Sequence, residues 1–282
     1  MVFPLFHHLL QSLNLGEVQN MSYLRNSCYL PFCIEVEEVH SNRYGQKGYK
    51  RAARKEPTGE EMAAANERRR IKKLYGLIAM NFDFGDYHAV LTYRKDERPT
   101  PEEAKKNLRT LFQKLRKEYQ KRGEPLRYII VTEYERSAIH HHLIINDIGD
   151  TIKLIKKLWP YGGTHFTPIY EQGEVKDLAA YLIKETQKSF RKKDNPNKLA
   201  YSCSRNLKKP VIKTKIVKSN TWQKDPVPPA GYMIRRSDIV TGVNALGYPY
   251  RYYTMVRIDV GKGEGFIKPR KHASDKGGVP SD

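Results

Sequence analysis

Residues 127–147 read RYIIVTEYERSAIHHHLIIND, and this stretch decides the fold. Two runs rich in β-branched and aromatic residues, 127–135 and 138–147, are separated only by a short polar segment. Such a pattern is typical of two antiparallel strands joined by a tight turn. The sequence therefore predicts a β-hairpin in this part of the chain.

The segments around this hairpin alternate between predicted strands and predicted helices. A β-prone run covers 88–93, and a strong helix follows it. Thr100 and Glu103 form a capping box around Pro101, which suits the first turn. The apolar residues of this helix recur at helical spacing and form one stripe, comprising Leu108, Leu111, Phe112, Leu115 and Tyr119. Gly123 is expected to end the helix.

Beyond the hairpin, the sequence predicts a helix over 152–158, a strand over 164–170 and a further helix over 174–191. The order is thus strand, helix, strand, strand, helix, strand, helix. This order favours an α+β fold in which a central antiparallel sheet is flanked by helices.

Composition and charge divide the chain into four predicted regions. Residues 1–75 are interpreted as a basic, partly flexible N-terminal extension, and 76–200 as the central domain. Residues 201–260 are expected to form a C-terminal extension that contains β-structure, and 261–282 a disordered tail. Within the first region, 1–20 lack a basic leader and are interpreted as a floppy or mis-assigned segment, with a poor secretory signal as the alternative.

The charge of the chain points to a polyanionic partner. The formal net charge is +20, and residues 184–218 alone carry twelve Lys and Arg against two acidic residues. Residues 41–75 carry eleven Lys and Arg against four Glu. This segment is interpreted as a DNA-backbone clamp or as a solvated, partly helical arm. Phosphate neutralisation releases counterions, so nucleic acid is favoured, although ribosomal and membrane-surface proteins are equally basic. No run of about 18 apolar residues occurs, so the sequence predicts no membrane-spanning helix.

The three cysteines, Cys28, Cys33 and Cys203, are too few and too scattered for a disulfide framework. They indicate reduced thiols in a cytoplasm. Cys28 and Cys33 have no second Cys or His pair near them, so a zinc site is not expected there.

The hairpin carries two histidines that are expected to share one face. Side chains alternate along a strand, so His140 and His142 point one way and His141 points the other. Two imidazoles on one face of a buried strand can chelate one divalent cation, whereas an apolar core gains nothing from them. A histidine-rich solvated strand is the alternative.

A carboxylate on the neighbouring strand can complete such a site. Glu133 and Glu135 share a face with Ile129 and Val131, and a carboxylate at the end of an apolar strand is costly unless it is paired or bound to metal. Glu133 lies deeper in the strand and is the preferred third ligand of Mg²⁺ or Mn²⁺. Glu135 stays open as the alternative.

Tyr181 lies at the edge of the apolar stripe of the 174–191 helix, which comprises Val175, Leu178, Ala179 and Leu182. By itself, a tyrosine in this position is usually an amphipathic packing residue. Its occurrence after a His-x-His strand suggests a catalytic role, and Lys184 lies one helical turn from it.

These residues resemble the motifs of the HUH endonucleases, specifically the replication-associated proteins of phages, plasmids and integrative elements. The strand at 88–93 is similar to their first motif, and His140-His141-His142 to their His-hydrophobe-His motif, with a histidine in the middle position. Tyr181-Leu182-Ile183-Lys184 is similar to their Tyr-x-x-Lys motif. The resemblance covers roughly residues 85–190, and the histidines precede the tyrosine, as in replication initiators and small transposases.

The resemblance implies a ferredoxin- or RRM-like nuclease core with a divalent metal held by His140, His142 and Glu133. It implies that Tyr181 nicks and rejoins single-stranded origin DNA through a 5′-phosphotyrosine intermediate, with Lys184 assisting, to initiate rolling-circle replication. No G-x-x-x-x-G-K-[ST] motif occurs, so unwinding is expected from a host helicase and the host replication machinery. The expected location is the bacterial host cytoplasm, on DNA.

Three other functions are compatible with the same residues. A single-tyrosine transposase shares the chemistry, but the long basic flanks favour an initiator. A catalytically silent, metal-stabilised DNA-binding protein would use the histidines without Tyr181. An RNA-binding protein of ribosomal type would depend on neither metal nor tyrosine.

Overall fold

The structure is a computed structural model that describes residues 22–40, 56–135, 138–169, 175–190, 200–219, 222–244 and 247–258. The chain divides into two compact units. One unit, the central unit, is formed by the described residues of Gly59–Pro210, and the other by those that precede Gly59 or follow Pro210.

The described secondary structure alternates as the pattern predicts. In chain order the elements are β1 (Tyr23–Tyr29), β2 (Cys33–His40), α1 (Gly59–Asn81), β3 (Tyr87–Leu91), α2 (Pro101–Lys121), β4 (Tyr128–Glu135), β5 (Ala138–Ile145), α3 (Thr151–Leu158), β6 (Thr164–Pro168), α4 (Val175–Phe190), β7 (Ser202–Cys203), β8 (Val211–Val217), β9 (Tyr232–Ile234), β10 (Val240–Val243) and β11 (Pro249–Arg257). A short 3₁₀ helix, Arg236–Asp238, lies between β9 and β10.

The central unit is built on a five-stranded antiparallel sheet with the strand order β6-β3-β5-β4-β7. The predicted hairpin is confirmed as β4 and β5, in register such that Val131 pairs with His142 and Glu133 with His140. Two antiparallel sheets and four helices among the described residues confirm the α+β fold.

Each face of this sheet is covered by helices, because both faces of its central strands carry apolar residues. One face buries Ile130 and Leu143 in a core with residues of α2 and α3, including Leu111, Leu115 and Ile155. The opposite face buries Ile129 and Ile144 with residues of α1 and α4, including Leu74, Ile78 and Leu182. The histidines of β5 therefore face one of two quite different environments.

The two helices that the sequence predicts most clearly form as expected. Thr100 caps α2, its hydroxyl accepts a hydrogen bond from the Glu103 backbone N–H, and the Glu103 carboxylate accepts one from the Thr100 backbone N–H. Gly123 takes a left-handed conformation at φ 71° just after the helix. In α4, Val175, Ala179 and Leu182 are buried and Leu178 partly so, which confirms the apolar stripe.

The other unit is a six-stranded antiparallel sheet, with the path β10-β11-β2-β1-β8 and β9 paired to β11. Ile34, Val36, Tyr253 and Met255 form its core. Glu38 is buried between two guanidinium groups, 2.5 Å from Arg251 and 2.8 Å from Arg25. Pairing the charges offsets the cost of burying them.

The structure divides the chain at other points than the predicted boundaries of 75 and 200. Helix α1 runs through residue 75 because Leu74 and Ile78 are buried against α4. Residues 200–210 also belong to the central unit, where the Asn81 side chain donates to the Lys208 carbonyl at 2.8 Å. The expected N- and C-terminal extensions contribute strands to one sheet, since β1 pairs with β8 and β2 with β11.

The predictions for residues 1–20, 41–55 and 261–282 fall outside the described residues. Among the described helices, none combines the length and the apolar character needed to cross a bilayer.

Candidate active site

Strand β5 distributes its three consecutive histidines between the two faces of the sheet, as alternation predicts. His141 faces the α2/α3 core, where its ring centroid lies 5.6 Å from that of Trp159. His142 faces the α1/α4 side, where its ring meets His88 and Tyr181. The site is therefore built on the α4 side of the sheet.

His141 is a core histidine with a partner for each ring nitrogen. Its Nε2 lies 3.0 Å from the Tyr93 hydroxyl and its Nδ1 2.9 Å from the Thr132 hydroxyl. The side chain is fully buried, and burial lowers its pKa to about 3. Because neighbouring hydroxyls satisfy both nitrogens, a histidine can stand where the resembling motif has a hydrophobic residue.

His142 lies at the centre of the candidate site. Its Nδ1 is 3.3 Å from Nε2 of His88, and the two rings stack with their centroids 5.4 Å apart. Its Nε2 is 3.5 Å from Oε2 of Glu133 and makes no hydrogen bond within the described part of the chain. The ring thus presents one hydrogen-bonded nitrogen and one buried nitrogen directed toward a carboxylate.

Glu133, the carboxylate that the sequence favours as a third ligand, lies next to His142. Only 6% of the residue is exposed, and its Oε2 lies beside His142. The strand register places Glu133 opposite His140, which is half-buried. The side chain of Glu135, the competing carboxylate, falls outside the described atoms.

Tyr181 projects from α4 onto the same site. Its ring centroid lies 5.6 Å from that of His142, at an interplanar angle of 84°, and 45% of the residue is exposed. A phenol in this position is next to the histidine cluster and accessible to a ligand. Lys184, one turn further along α4, is exposed and makes no hydrogen bond or ion pair to the described residues.

Two residues of the cluster were not included in the predicted site. His88 of β3 lies against His142, and because this contact depends on the pairing of β3 with β5, no local pattern in the sequence marked it. Glu185 follows Tyr181 by four residues, is only 8% exposed, and its charge partly counteracts the lowering of the His142 pKa by burial. A carboxylate at a buried position of an amphipathic helix was the signal for Glu185.

The local electrostatics keep the histidines neutral. Burial lowers the pKa of His142 to about 4, with a further contribution from the proximity of His140. Burial also lowers the pKa of His88 to about 4, with contributions from His142 and His165. At neutral pH each ring therefore retains a lone pair on one nitrogen, which is the form that binds metal ions.

The donor set suits a divalent metal, although it does not form a finished coordination shell. A neutral imidazole nitrogen without a hydrogen-bond partner among the described residues faces a buried carboxylate. A carboxylate suits Mn²⁺ or Mg²⁺, and a neutral imidazole can ligate divalent transition-metal ions. As the side chains stand, no three His, Cys, Asp or Glu residues of the described ranges are grouped closely enough to hold an ion. Binding an ion with His140, His142 and Glu133 would require side-chain rearrangement at this site.

The region that contains this site matches a known family. Residues 86–190 match the model of the replication-associated protein family of the ORF2 type, which is consistent with a replication protein. No curated protein and no solved structure matches the chain.

Proposed function

We propose that this chain is a replication initiator that nicks and rejoins single-stranded DNA with Tyr181 as the nucleophile. The observation that carries the proposal is the contact of Tyr181 with His142, beside the buried Glu133, inside the segment that matches the replication-associated family. Two of the three sequence motifs meet in this contact, and His88 of the first motif lies against His142.

The proposed chemistry is a transesterification. Tyr181 loses its phenolic proton to solvent, its oxygen attacks a backbone phosphorus, and the bond from phosphorus to the 3′ oxygen breaks. The 3′ oxygen takes a proton from solvent to become a free 3′-OH. The 5′-phosphoryl group stays bound to Tyr181, which conserves the phosphodiester for rejoining by the reverse reaction. The exposure of Tyr181 gives a phosphate access to the phenol oxygen.

His140, His142 and Glu133 would hold the divalent metal. A bound Mg²⁺ or Mn²⁺ would supply Lewis-acid stabilisation of the charge that develops on the phosphate. The protein's own contribution is to keep the His142 imidazole neutral and the Glu133 carboxylate buried beside it.

Lys184 is assigned an electrostatic role in the same reaction. A free tyrosine has a pKa of about 10, so a phenolate nucleophile needs stabilisation at neutral pH. Lys184 lies three residues after Tyr181 on α4, a spacing that brings two side chains to the same side of a helix. Its ammonium group is exposed and can reach the phenolate or the phosphate.

The charge of the chain supports DNA as the substrate. The net charge of +20 favours binding to a phosphate backbone, and 184–218 is a strongly basic segment next to the Tyr181 helix. We propose that the protein acts on origin DNA in the host cytoplasm and relies on a host helicase for unwinding.

The test is covalent capture. The protein is incubated with a library of single-stranded oligonucleotides and Mn²⁺, then analysed on denaturing gels and by mass spectrometry. We expect an adduct on Tyr181 that is lost with EDTA, with Tyr181→Phe and with His142→Ala. Tyr29, which is comparably exposed but lies in the other unit, provides the matched control, and Tyr29→Phe should form the adduct normally.

Binding without any adduct across the library would overturn the catalytic proposal and indicate a non-catalytic DNA-binding protein. An adduct that persists in Tyr181→Phe would exclude this tyrosine as the nucleophile. An adduct formed equally well in EDTA would remove the metal from the mechanism.

A further inference from the structure

The two nitrogens of the His142 ring have different surroundings, and this difference constrains its proton. Nδ1 lies 3.3 Å from Nε2 of His88, which is hydrogen-bonding distance. Nε2 lies 3.5 Å from the Glu133 carboxylate without a hydrogen bond in the described structure. Of the two nitrogens, Nε2 is therefore the one placed to meet a cation together with Glu133.

A neutral imidazole carries one proton, so its two nitrogens cannot both offer a lone pair. If Nε2 of His142 is to bind a cation, the proton must reside on Nδ1. Nδ1–H then donates to His88, and Nε2 of His88 must accept. If His88 instead donates from Nε2, the proton of His142 is placed on its own Nε2, and the metal-facing nitrogen is blocked.

We propose that His88 is a positioning residue that holds His142 in the Nδ1–H tautomer and thereby makes its Nε2 available to the metal. This inference rests on the proposed function, because it concerns the metal site of that function. His88 itself touches neither the metal nor the DNA in this proposal. It acts through the nitrogen on the far side of His142 from Glu133.

The near-parallel orientation of the two rings supports this role. The His88 and His142 planes are inclined by only 16°, and the two side chains come from adjacent, hydrogen-bonded strands. Because both strands have a neighbour on each side in the sheet, the pair is held by backbone geometry as well as by its own contact. Hydrogen-bond partners on the far nitrogen of a ligating histidine generally orient the ring, and their loss costs about 10- to 100-fold in metal affinity.

The first measurement is the tautomer of His142 in the full-length protein. Long-range ¹H–¹⁵N spectra of ¹⁵N-histidine-labelled protein distinguish protonated from unprotonated ring nitrogens, and His142→Asn assigns the signals. With saturating Mg²⁺, which is diamagnetic, we expect Nδ1 of His142 to be protonated and Nε2 to carry the lone pair. Protonated Nε2 in the Mg²⁺-loaded protein would overturn the inference.

The second measurement is Mn²⁺ affinity by calorimetry in two variants of His88. His88→Leu removes the acceptor, and we expect it to weaken binding about tenfold or more and to change the tautomer signals of His142. His88→Gln retains an acceptor oxygen, and we expect it to recover most of the affinity and the wild-type tautomer. Tyr29→Leu, which alters an exposed residue of the other unit, is the control and should leave both the Mn²⁺ affinity and the His142 tautomer unchanged.

The outcomes separate this inference from the proposed function. If Mn²⁺ binds and His88→Leu changes neither affinity nor tautomer, the role of His88 is overturned and the proposed function stands. If the His88 variants behave as expected but no DNA adduct forms, the proposed function fails and the role of His88 stands. If Mn²⁺ does not bind the wild-type protein, both the metal site and the role of His88 are overturned.

Discussion

Glu133 and Glu135 lie two residues apart on one strand, and they differ in their place along it. Glu133 is buried beside Nε2 of His142, whereas Glu135 is the last residue of β4. A carboxylate held in a buried position next to a neutral imidazole is the stronger metal ligand, because an ionised group taken out of water gains most from a nearby cation.

We therefore expect Glu133→Gln to weaken Mn²⁺ binding by about tenfold or more, while Glu135→Gln changes it by less than about threefold. Calorimetric titration with Mn²⁺ measures both, and thermal unfolding of the metal-free variants verifies that each is folded. The opposite order of the two affinities would assign the ligand to Glu135.

Single residues also show where prediction from the sequence ends. Strand alternation is local, and it correctly separated His141 from its neighbour His142 on β5. The contact of His88 with His142 depends on the pairing of β3 with β5, in which His88 stands opposite Ile144, two positions from His142. That register is set by tertiary structure, so His88 could not be assigned from the sequence.

Among the elements, α2 gives the clearest test of a local signal. Its capping box was predicted from Thr100 and Glu103 and is present. We expect Thr100→Ala to lower the free energy of unfolding by about 1 kcal/mol, because the first-turn N–H of Glu103 loses its acceptor. Thr100→Ser retains a hydroxyl and should be close to wild type in urea unfolding. Equal loss in both variants would show that the methyl group, not the cap, is responsible.

Strand β5 makes stability depend on pH through His141. Burial, followed by the charges of His142 and His140, holds the pKa of His141 at about 3, whereas an unfolded histidine titrates near 6.5. The folded state therefore favours the neutral ring. The contribution of His141 to the free energy of unfolding is complete above about pH 6.5 and declines as the pH falls toward 3. In this window one such histidine lowers the free energy of unfolding by about 1.4 kcal/mol for each pH unit by which the pH falls.

His141→Gln provides the comparison, because an amide can serve the same two hydroxyl partners without titrating. We expect the unfolding free energy of this variant to change less steeply between about pH 6 and 4 than that of the wild type. The difference in slope should be that of one histidine, about 1.4 kcal/mol per pH unit. Urea unfolding at a series of pH values measures the difference. Parallel curves for the two proteins would show that His141 titrates normally in the fold.

Elements with strong periodic patterns were predicted well, and weakly patterned ones were not. Helices α2 and α4 and the β4–β5 hairpin lie within a few residues of their predicted bounds. Helix α1 was predicted only as part of a partly helical arm over 41–75, without bounds, because residues 59–73 are dominated by Glu, Arg and Lys and its apolar face begins only near Leu74. Burial against α4 then stabilises the C-terminal half of a helix whose first half is largely exposed.

At the scale of the whole molecule, the central unit contains the packing that its stability requires. Both faces of its sheet have their own apolar core, formed by residues between 59 and 210. We expect a fragment of residues 59–210 to unfold cooperatively by circular dichroism and to bind Mn²⁺ with an affinity close to that of the full chain. A fragment without a cooperative transition would show that the other unit is needed for folding.

The other unit could not have been predicted as one body. Its strands come from two parts of the chain, with the buried ion pair Glu38–Arg251 joining residues 213 positions apart. Short β-like segments in the sequence indicated strands after residue 201, but nothing local in them specifies β2 as the partner of β11. Long-range pairing of this kind is set by packing and not by propensity.

This arrangement has a consequence for biosynthesis. The chain emerges from the ribosome with β1 and β2 first, and the central unit is finished before β8 or β11 exists. Domains generally fold in the order of their synthesis, so the hairpin of β1 and β2 must wait with both outer edges unpaired. A chain truncated after residue 210 would thus contain a complete central unit and a hairpin with exposed, unpaired strand edges. Such truncated products are candidates for aggregation and for removal by cellular proteases.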